Sequence, residues 1–222
     1  MHAQILRETL MEIIHAGSAY ALQRAIEVLE AGGLVAFPTD TVYGLAARPW
    51  DTAAVARLYE AKRRPTERAI PLLLSDAGQL ERVAVITPQL QHQLNLLTRH
   101  FWPGGLTLVL PKSELVPHIV SHGPTVAVRV PDLPLALALI KGVHGVLAVT
   151  SANISGQPSP LTAQEVEEQL AGRIDLILDG GPVPGGVPST ILDCTVSPPV
   201  MLRRGAISDE ALRAVVGPIR AP

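Results

Sequence analysis

The stretch 32–45 reads GGLVAFPTDTVYGL, and the rest of the chain can be placed around it. Its apolar run, 34–37, is long enough for a buried strand and too short for a helix. Pro38 cannot donate to a sheet ladder, so it is expected to stop the strand. Thr39, Asp40, Thr41 and Tyr43 then crowd hydroxyls and a carboxylate at the strand end, and Gly44 is expected to let the backbone turn. Ligands of open α/β sheets bind beyond strand ends, so the cluster reads as one wall of a pocket. A strand closed by a hydroxyl-rich turn accounts for the same residues equally well.

On the N-terminal side, 19–31 places Leu22, Ile26 and Leu29 on one helical face, and Gly32-Gly33 ends that helix as a C-cap would. On the C-terminal side, 52–62 carries a stripe of Val55, Leu58 and Tyr59, with Asp51 or Thr52 as cap. That helix ends in Lys62-Arg63-Arg64-Pro65. Cations suit a helix C-terminus, but capping needs only one and three repel each other, so the cluster is read as anion-binding. Strands are expected over 70–74, 106–110, 125–130, 146–149, 176–178, 191–193 and 200–202. Helices are expected over 88–99, 133–140, 163–170 and 209–216. Thr162 with Glu165 forms a capping box, and Ser208 caps the last helix. The alternation predicts an α/β (mixed α+β) fold: a twisted mixed β-sheet flanked by helices, with one domain over 15–217 and 1–14 as an N-terminal extension. The 20 prolines and 18 glycines sit mostly at strand ends and mark sharp turns.

Composition narrows the function. The chain has 222 residues, 47% hydrophobic and 17% charged, ample for a core. Only 3% is aromatic, so the core is built from Leu, Val, Ile and Ala. A net charge of −2 argues against a surface wholly devoted to nucleic acid. The single cysteine, Cys194, allows no internal disulfide or thiolate cluster and fits a reducing cytosol. It has no neighbouring His or Lys and reads as an inert buried thiol. The N-terminus lacks a secretory pattern, and no apolar run approaches the roughly 18 residues of a membrane span. The expectation is a cytoplasmic protein with no membrane association.

No phosphate-loop, dinucleotide, zincin or nucleophile-elbow signature is present. His118 and His122 are four apart, but Pro117 and Gly123 bracket them and no third ligand is evident. Arg129 interrupts the apolar run TVAVRV. An unpaired buried guanidinium is expensive, so it needs an acid partner or a pocket, unless it faces solvent on an edge strand. Hydroxyls at strand ends (Thr39, Thr41, Ser151, Ser159, Ser189) accompany cations at turns (Lys62, Arg64, Arg129, Arg203). With no Ser-His-Asp order, this set suggests binding of a polyanion, with catalysis by positioning and charge neutralisation.

Seven motifs in order then carry a resemblance. They are FPTDTVYGL at 37–45, Lys62 and Arg64 as K-x-R, FWPGGLT at 101–107, AVRVP at 127–131, Ser151 and Asn153 as S-x-N with PSP after it, GVPSTI at 186–191, and LRRG at 202–205. Together they resemble the YrdC-like family, and more closely its bacterial TsaC-type threonylcarbamoyl-AMP synthases in their single-domain form. The family fold is a twisted mixed sheet with helices around a positively charged cavity. The resemblance implies a nucleotidyltransferase that joins L-threonine, bicarbonate and ATP into threonylcarbamoyl-AMP and pyrophosphate. A transferase complex of TsaD, TsaB and TsaE type would then modify tRNA beside the anticodon.

By the same resemblance, Lys62 and Arg64 are the catalytic, phosphate-binding pair. L-Threonine is met by Thr39, Pro71, Val149 and Ser189, with Arg129 on its carboxylate. ATP is met by Lys62, Arg64, Thr66, Thr125, Ser151, Asn153, Ser159 and Arg203. Mg²⁺ would be carried with ATP, with no metal ligand from protein side chains. Ala69 departs from the pattern, standing where a proline is common. Two alternatives have discriminating features. A double-stranded RNA or tRNA-binding module without catalysis would use Arg63, Arg64, Arg68, Arg203 and Arg204 and show salt-dependent RNA affinity. A carbamoyl-transfer domain like that of hydrogenase maturation proteins would come with zinc-finger-like cysteines.

Overall fold

The computed structural model describes residues 11–184 and 187–221; residues 1–10, Gly186 of the GVPSTI motif and its neighbour Gly185 lie outside them, as does Pro222. The opening stretch is a hairpin. β2 (Val35–Pro38) pairs antiparallel with β3 (Tyr43–Ala47), Phe37 opposite Gly44 and Pro38 opposite Tyr43. Pro38 is thus the last strand residue, and Gly44 does not turn the chain as expected. The turn is 39–42. Thr39 closes it: its Oγ1 donates to the Val42 carbonyl at 2.7 Å and accepts from the Thr41 and Val42 amides. Gly44 serves close approach instead, since a Cβ there would sit 2.7 Å from Val149 Cγ1. Tyr43 leaves the polar cluster. It is fully buried, and its hydroxyl donates to the Gly181 carbonyl at 2.7 Å.

The remaining strands are β1 (Glu12–His15), β4 (Leu72–Leu74), β5 (Leu106–Pro111), β6 (Thr125–Arg129), β7 (Val146–Ser151), β8 (Leu176–Asp179), β9 (Thr190–Asp193) and β10 (Val200–Arg203). They form one ten-stranded mixed sheet in the order β1-β8-β2-β3-β7-β4-β6-β5-β9-β10. β1 crosses the boundary expected at residue 15. Its parallel pairing with β8 puts residues 12–14 in the sheet rather than in an extension.

The helices are α1 (Ala21–Glu30), α2 (Thr52–Lys62), α3 (Leu80–Val83), α4 (Pro88–Phe101), α5 (Pro134–Gly142), α6 (Ala163–Leu170) and α7 (Asp209–Val216). Their starts follow local chemistry. Asp51 accepts from the Ala54 amide at 3.0 Å, and Ser208 from the Ala211 amide at 3.2 Å. Thr162 accepts from the Glu165 amide, and the Glu165 carboxylate returns to the Leu161 amide at 2.6 Å. Each such cap contributes about 1 kcal/mol.

The sheet separates two apolar clusters. On one face α1 packs against α5, and α5 lies over β2, β4 and β7. Phe37, Ala46, Leu73, Leu147 and Val149 point that way. On the other face Leu45, Leu72, Leu74, Ala148 and Val128 join residues of α2, α4, α6 and α7. The α1/α5 layer covers mainly the β1 half of its face, so the continuation of that face towards β10 is free to form a cavity. Among the described residues no helix is long and apolar enough to cross a membrane.

Candidate functional site

A cavity of about 300 Å³ opens on the sheet face that bears α5. Strand register assembles it, because residues paired across strands share a face. Gly44 lies opposite Ser151, and Ala46 opposite Val149. Leu73 lies opposite Arg129. Thr107 faces Ile191, which faces Arg203. These positions apart from Ala46, with Thr39, Thr41 and Val42 of the turn and with Arg64, Pro71, Ser159 and Pro188, make most of the lining.

Of the residues expected at a site, Thr39, Arg64, Pro71, Arg129, Val149, Ser151, Ser159, Ser189 and Arg203 all line this one cavity. Thr39, Arg129, Val149 and Ser189 are buried, while Ser159 and Arg203 are exposed at the mouth. Four expected residues fall outside the lining. Thr66 is exposed in the loop after Pro65. Thr125 shares the β6 face of Ala127 and Arg129 but sits at the far end of that strand. Asn153 is buried, and its amide donates to the Ile154 and Gln157 carbonyls at 2.8 and 2.7 Å. Lys62 is 1% exposed, and its ammonium donates to the main-chain carbonyls of Ser151 and Asn153. Two of the three ammonium donors thus clamp the wall from behind. α2 ends with its buried face at Lys62, and the side chain follows that face inward.

The three consecutive cations thus diverge. Arg63 is the left-handed C-cap of α2, at φ 49°. Arg64 lines the cavity, and its Nε and Nη2 donate to the Arg68 and Ala69 carbonyls at 3.0 and 2.8 Å. The five arginines of the RNA-binding alternative do not share one role: Arg64 and Arg203 line the cavity, whereas Arg63, Arg68 and Arg204 are exposed outside it.

Arg129 has both an acid partner and a pocket. Its Nη2 pairs with Asp40 Oδ2, its Nη1 donates to Thr41 Oγ1 at 3.1 Å, and its Nε donates to the Gly104 carbonyl at 2.8 Å. That position requires glycine, because at φ 156° a Cβ would lie 2.8 Å from the Phe101 carbonyl oxygen. Arg203 bonds the Ser189 carbonyl through Nε and Nη2 and the Ser189 hydroxyl at 3.0 Å; that hydroxyl lies 2.7 Å from Thr107 Oγ1.

Burial pulls the Arg129 guanidinium below its ordinary pKa, and Asp40 draws it back up. Burial also lowers Arg203, with the charge of Arg129 adding to the effect. Burial likewise lowers Arg64. Three guanidinium groups around one hollow favour an anion. Thr41, expected in the hydroxyl set, lines the cavity, and Thr107 and Thr150, which were not expected as site residues, bring two further hydroxyls to it. Thr107 stands near the start of β5 in the FWPGGLT motif and Thr150 directly before Ser151 near the end of β7, which is the signal that would have found them. Cys194 is buried, and burial beside Asp193 pushes its thiol up to about 12.

Residues 27–205 match the Sua5_yciO_yrdC family, described as telomere recombination. The chain is 45% identical over 202 residues to the threonylcarbamoyl-AMP synthase of Pyrococcus abyssi, covering 90% of this chain and 58% of that one. It is 38% identical over 195 residues to a relative from Mycobacterium tuberculosis, covering 87% of this chain and 88% of that one. The crystal structure of P. abyssi Sua5 complexed with L-threonine superposes with a TM-score of 0.89 at 42% identity, covering 96% of this chain and 63% of that one. The chain therefore spans a little over half the length of the first of these relatives and most of the second. Sheet, cavity and sequence agree, and the chain belongs to the Sua5, YciO and YrdC family.

Proposed function

We propose that the chain is a threonylcarbamoyl-AMP synthase, forming threonylcarbamoyl-AMP and pyrophosphate from L-threonine, bicarbonate and ATP. The observation that carries the reading is the convergence of Arg64, Arg129 and Arg203, from three distant parts of the chain, on one hydroxyl-lined hollow. The likeness to Sua5 complexed with L-threonine supports an amino acid ligand.

The amino acid sits on the floor. Arg129 takes its carboxylate, and the buried Thr39, Val149 and Ser189 lie around it. The triphosphate lies towards the mouth, against Arg64, Arg203, Ser151 and Ser159. The threonine amine attacks CO₂ derived from bicarbonate and loses a proton. An oxygen of the resulting carbamate attacks the α-phosphorus, the bond to the bridging oxygen breaks, and pyrophosphate leaves. Arg64 and Arg203 offset charge on the transferring and leaving phosphates. Lys62 holds the Ser151 end of β7 in place through two main-chain carbonyls.

The donor set does not suit a protein-held metal. The lining offers hydroxyls and guanidinium groups, and Asp40 is engaged by Arg129. Among the described residues no three His, Cys, Asp or Glu side chains gather. Mg²⁺ belongs to this reaction as part of the ATP substrate. The product, a mixed anhydride, is passed to a threonylcarbamoyl transferase of TsaD, TsaB and TsaE type for tRNA modification.

Incubation with ATP, bicarbonate and L-threonine is expected to give pyrophosphate and a new adenylate, and omission of threonine or bicarbonate to abolish both. Salt-dependent tRNA affinity without threonine-dependent turnover would replace this reading with the RNA-binding one.

A further inference from the structure

The Arg129 guanidinium joins three segments that are far apart in the fold. Asp40 and Thr41 come from the turn between β2 and β3, Gly104 from the turn between α4 and β5, and Arg129 itself from β6. In the sheet, β7 and β4 lie between β3 and β6, so the Asp40–Arg129 pair bridges the cavity from one wall to the other. The side chains are 8% exposed for Arg129 and 17% for Asp40. Asp40 is not part of the lining, whereas Arg129 is. The second Asp40 oxygen, Oδ1, is buried with no hydrogen-bond partner, so the carboxylate is directed to Arg129 alone among the described residues.

We propose that Asp40 is the positioning residue of the amino acid subsite, aiming the Arg129 guanidinium at the ligand's carboxylate. A guanidinium has five N–H donors in a rigid plane. Three bonds fasten Arg129, one through each nitrogen. One N–H on each terminal nitrogen remains to donate to a carboxylate. Neutral acceptors alone hold an arginine side chain weakly, because each bond is offset by lost rotamer freedom. The charged bond to Asp40 is the strongest of the three and fixes the plane. Asp40 therefore acts through Arg129 and touches no substrate. The inference rests on the synthase reading for the identity of the carboxylate.

The test uses the full chain, with L-threonine affinity measured by calorimetry and KM values for threonine and ATP from pyrophosphate release. Asp40→Ala is expected to weaken threonine binding by at least about tenfold while the ATP KM stays within about twofold, the loss of one charged hydrogen bond. Asp40→Asn keeps an oxygen acceptor at the same place without its charge and is expected to bind threonine measurably better than Asp40→Ala but more weakly than the wild type. A folded Asp40→Ala chain with wild-type threonine affinity overturns the proposal. So does a parallel rise in both KM values, or an Asp40→Asn variant no better than Asp40→Ala. If Asp40→Ala does not fold, Asp40→Gln, which displaces the acceptor by one methylene, is expected to show the same selective loss, and wild-type threonine affinity there overturns the proposal. A wild-type chain that binds threonine without turnover defeats the synthase reading but leaves the effect of Asp40 on binding to decide this one. A wild-type chain that binds no threonine defeats both.

Discussion

Lys62 and Asn153, ninety-one residues apart, meet behind the wall of the cavity, where the lysine ammonium donates to the asparagine's main-chain carbonyl as well as to that of Ser151. The bond fixes the C-terminal end of β7, and with it the Ser151 hydroxyl that lines the cavity. Lys62→Met is expected to loosen this segment before any ligand arrives. Hydrogen exchange should rise at residues 151–155 in the ligand-free protein, with a higher KM for ATP. A lysine that worked only by touching phosphate would leave ligand-free exchange unchanged.

The same lysine links stability to pH. Burial lowers its pKa to about 7, and the Arg64 charge acts in the same direction. The unfolded chain keeps this proton up to the ordinary value of 10.5. Between these values unfolding takes up a proton, so this group's contribution to stability rises with pH. The limiting slope is about 1.4 kcal/mol per pH unit. Denaturant unfolding of the wild type between pH 7 and about 9 should therefore show a more positive slope than Lys62→Met.

Arg129→Ala leaves the Asp40 carboxylate buried without its cation. Breaking such a pair on one side costs about 3–5 kcal/mol. At about 2–4 °C per kcal/mol for a chain of this size, a thermal melt should show a drop of roughly 6–20 °C. Threonine binding by calorimetry should be lost as well. Arg129→Lys keeps the charge but not the planar fork, so it should recover part of the melting temperature and little of the binding.

Gly44 leaves room for β7 and the cavity floor. A Cβ there would lie 2.7 Å from Val149 Cγ1, and Val149 is itself a lining residue. Gly44→Ala is expected to destabilise by about 1–3 kcal/mol through overpacking. Because the displaced neighbour forms part of the floor, the threonine KM should rise more than the ATP KM.

Cys194 provides a control outside the site. Its thiol is buried and pushed up to about 12, so at pH 8 the reactive thiolate is scarce and inaccessible. Ellman's reagent should leave the native chain unmodified over minutes and react with one thiol per chain in denaturant. Cys194→Ala should keep the proposed turnover.

Much of the fold was legible because it is written in local pattern. Apolar runs bounded by Pro and Gly gave most strands, and Asp51, Thr162 and Ser208 marked where helices begin. β3 was hidden because it starts with Tyr43 and Gly44, residues that look like the end of a turn. Their strand character comes from pairing with β2 on one side and β7 on the other. β1 was hidden for a similar reason: four residues gain strand geometry from β8, which lies far along the chain.

For the site, the sequence by itself determined the chemistry: guanidinium groups and hydroxyls at strand ends, one thiol without an activating neighbour, and family motifs in their order. Only the tertiary structure decided which of these groups share a space. Side-chain direction in a sheet is set by register with strands far away in sequence, and that register aligned Leu73 with Arg129 and Thr107 with Ile191 and Arg203. It also decided the opposite fates of Lys62 and Arg64, two residues apart. The helix end turns one into the protein, where main-chain carbonyls take its charge, and releases the other into the cavity.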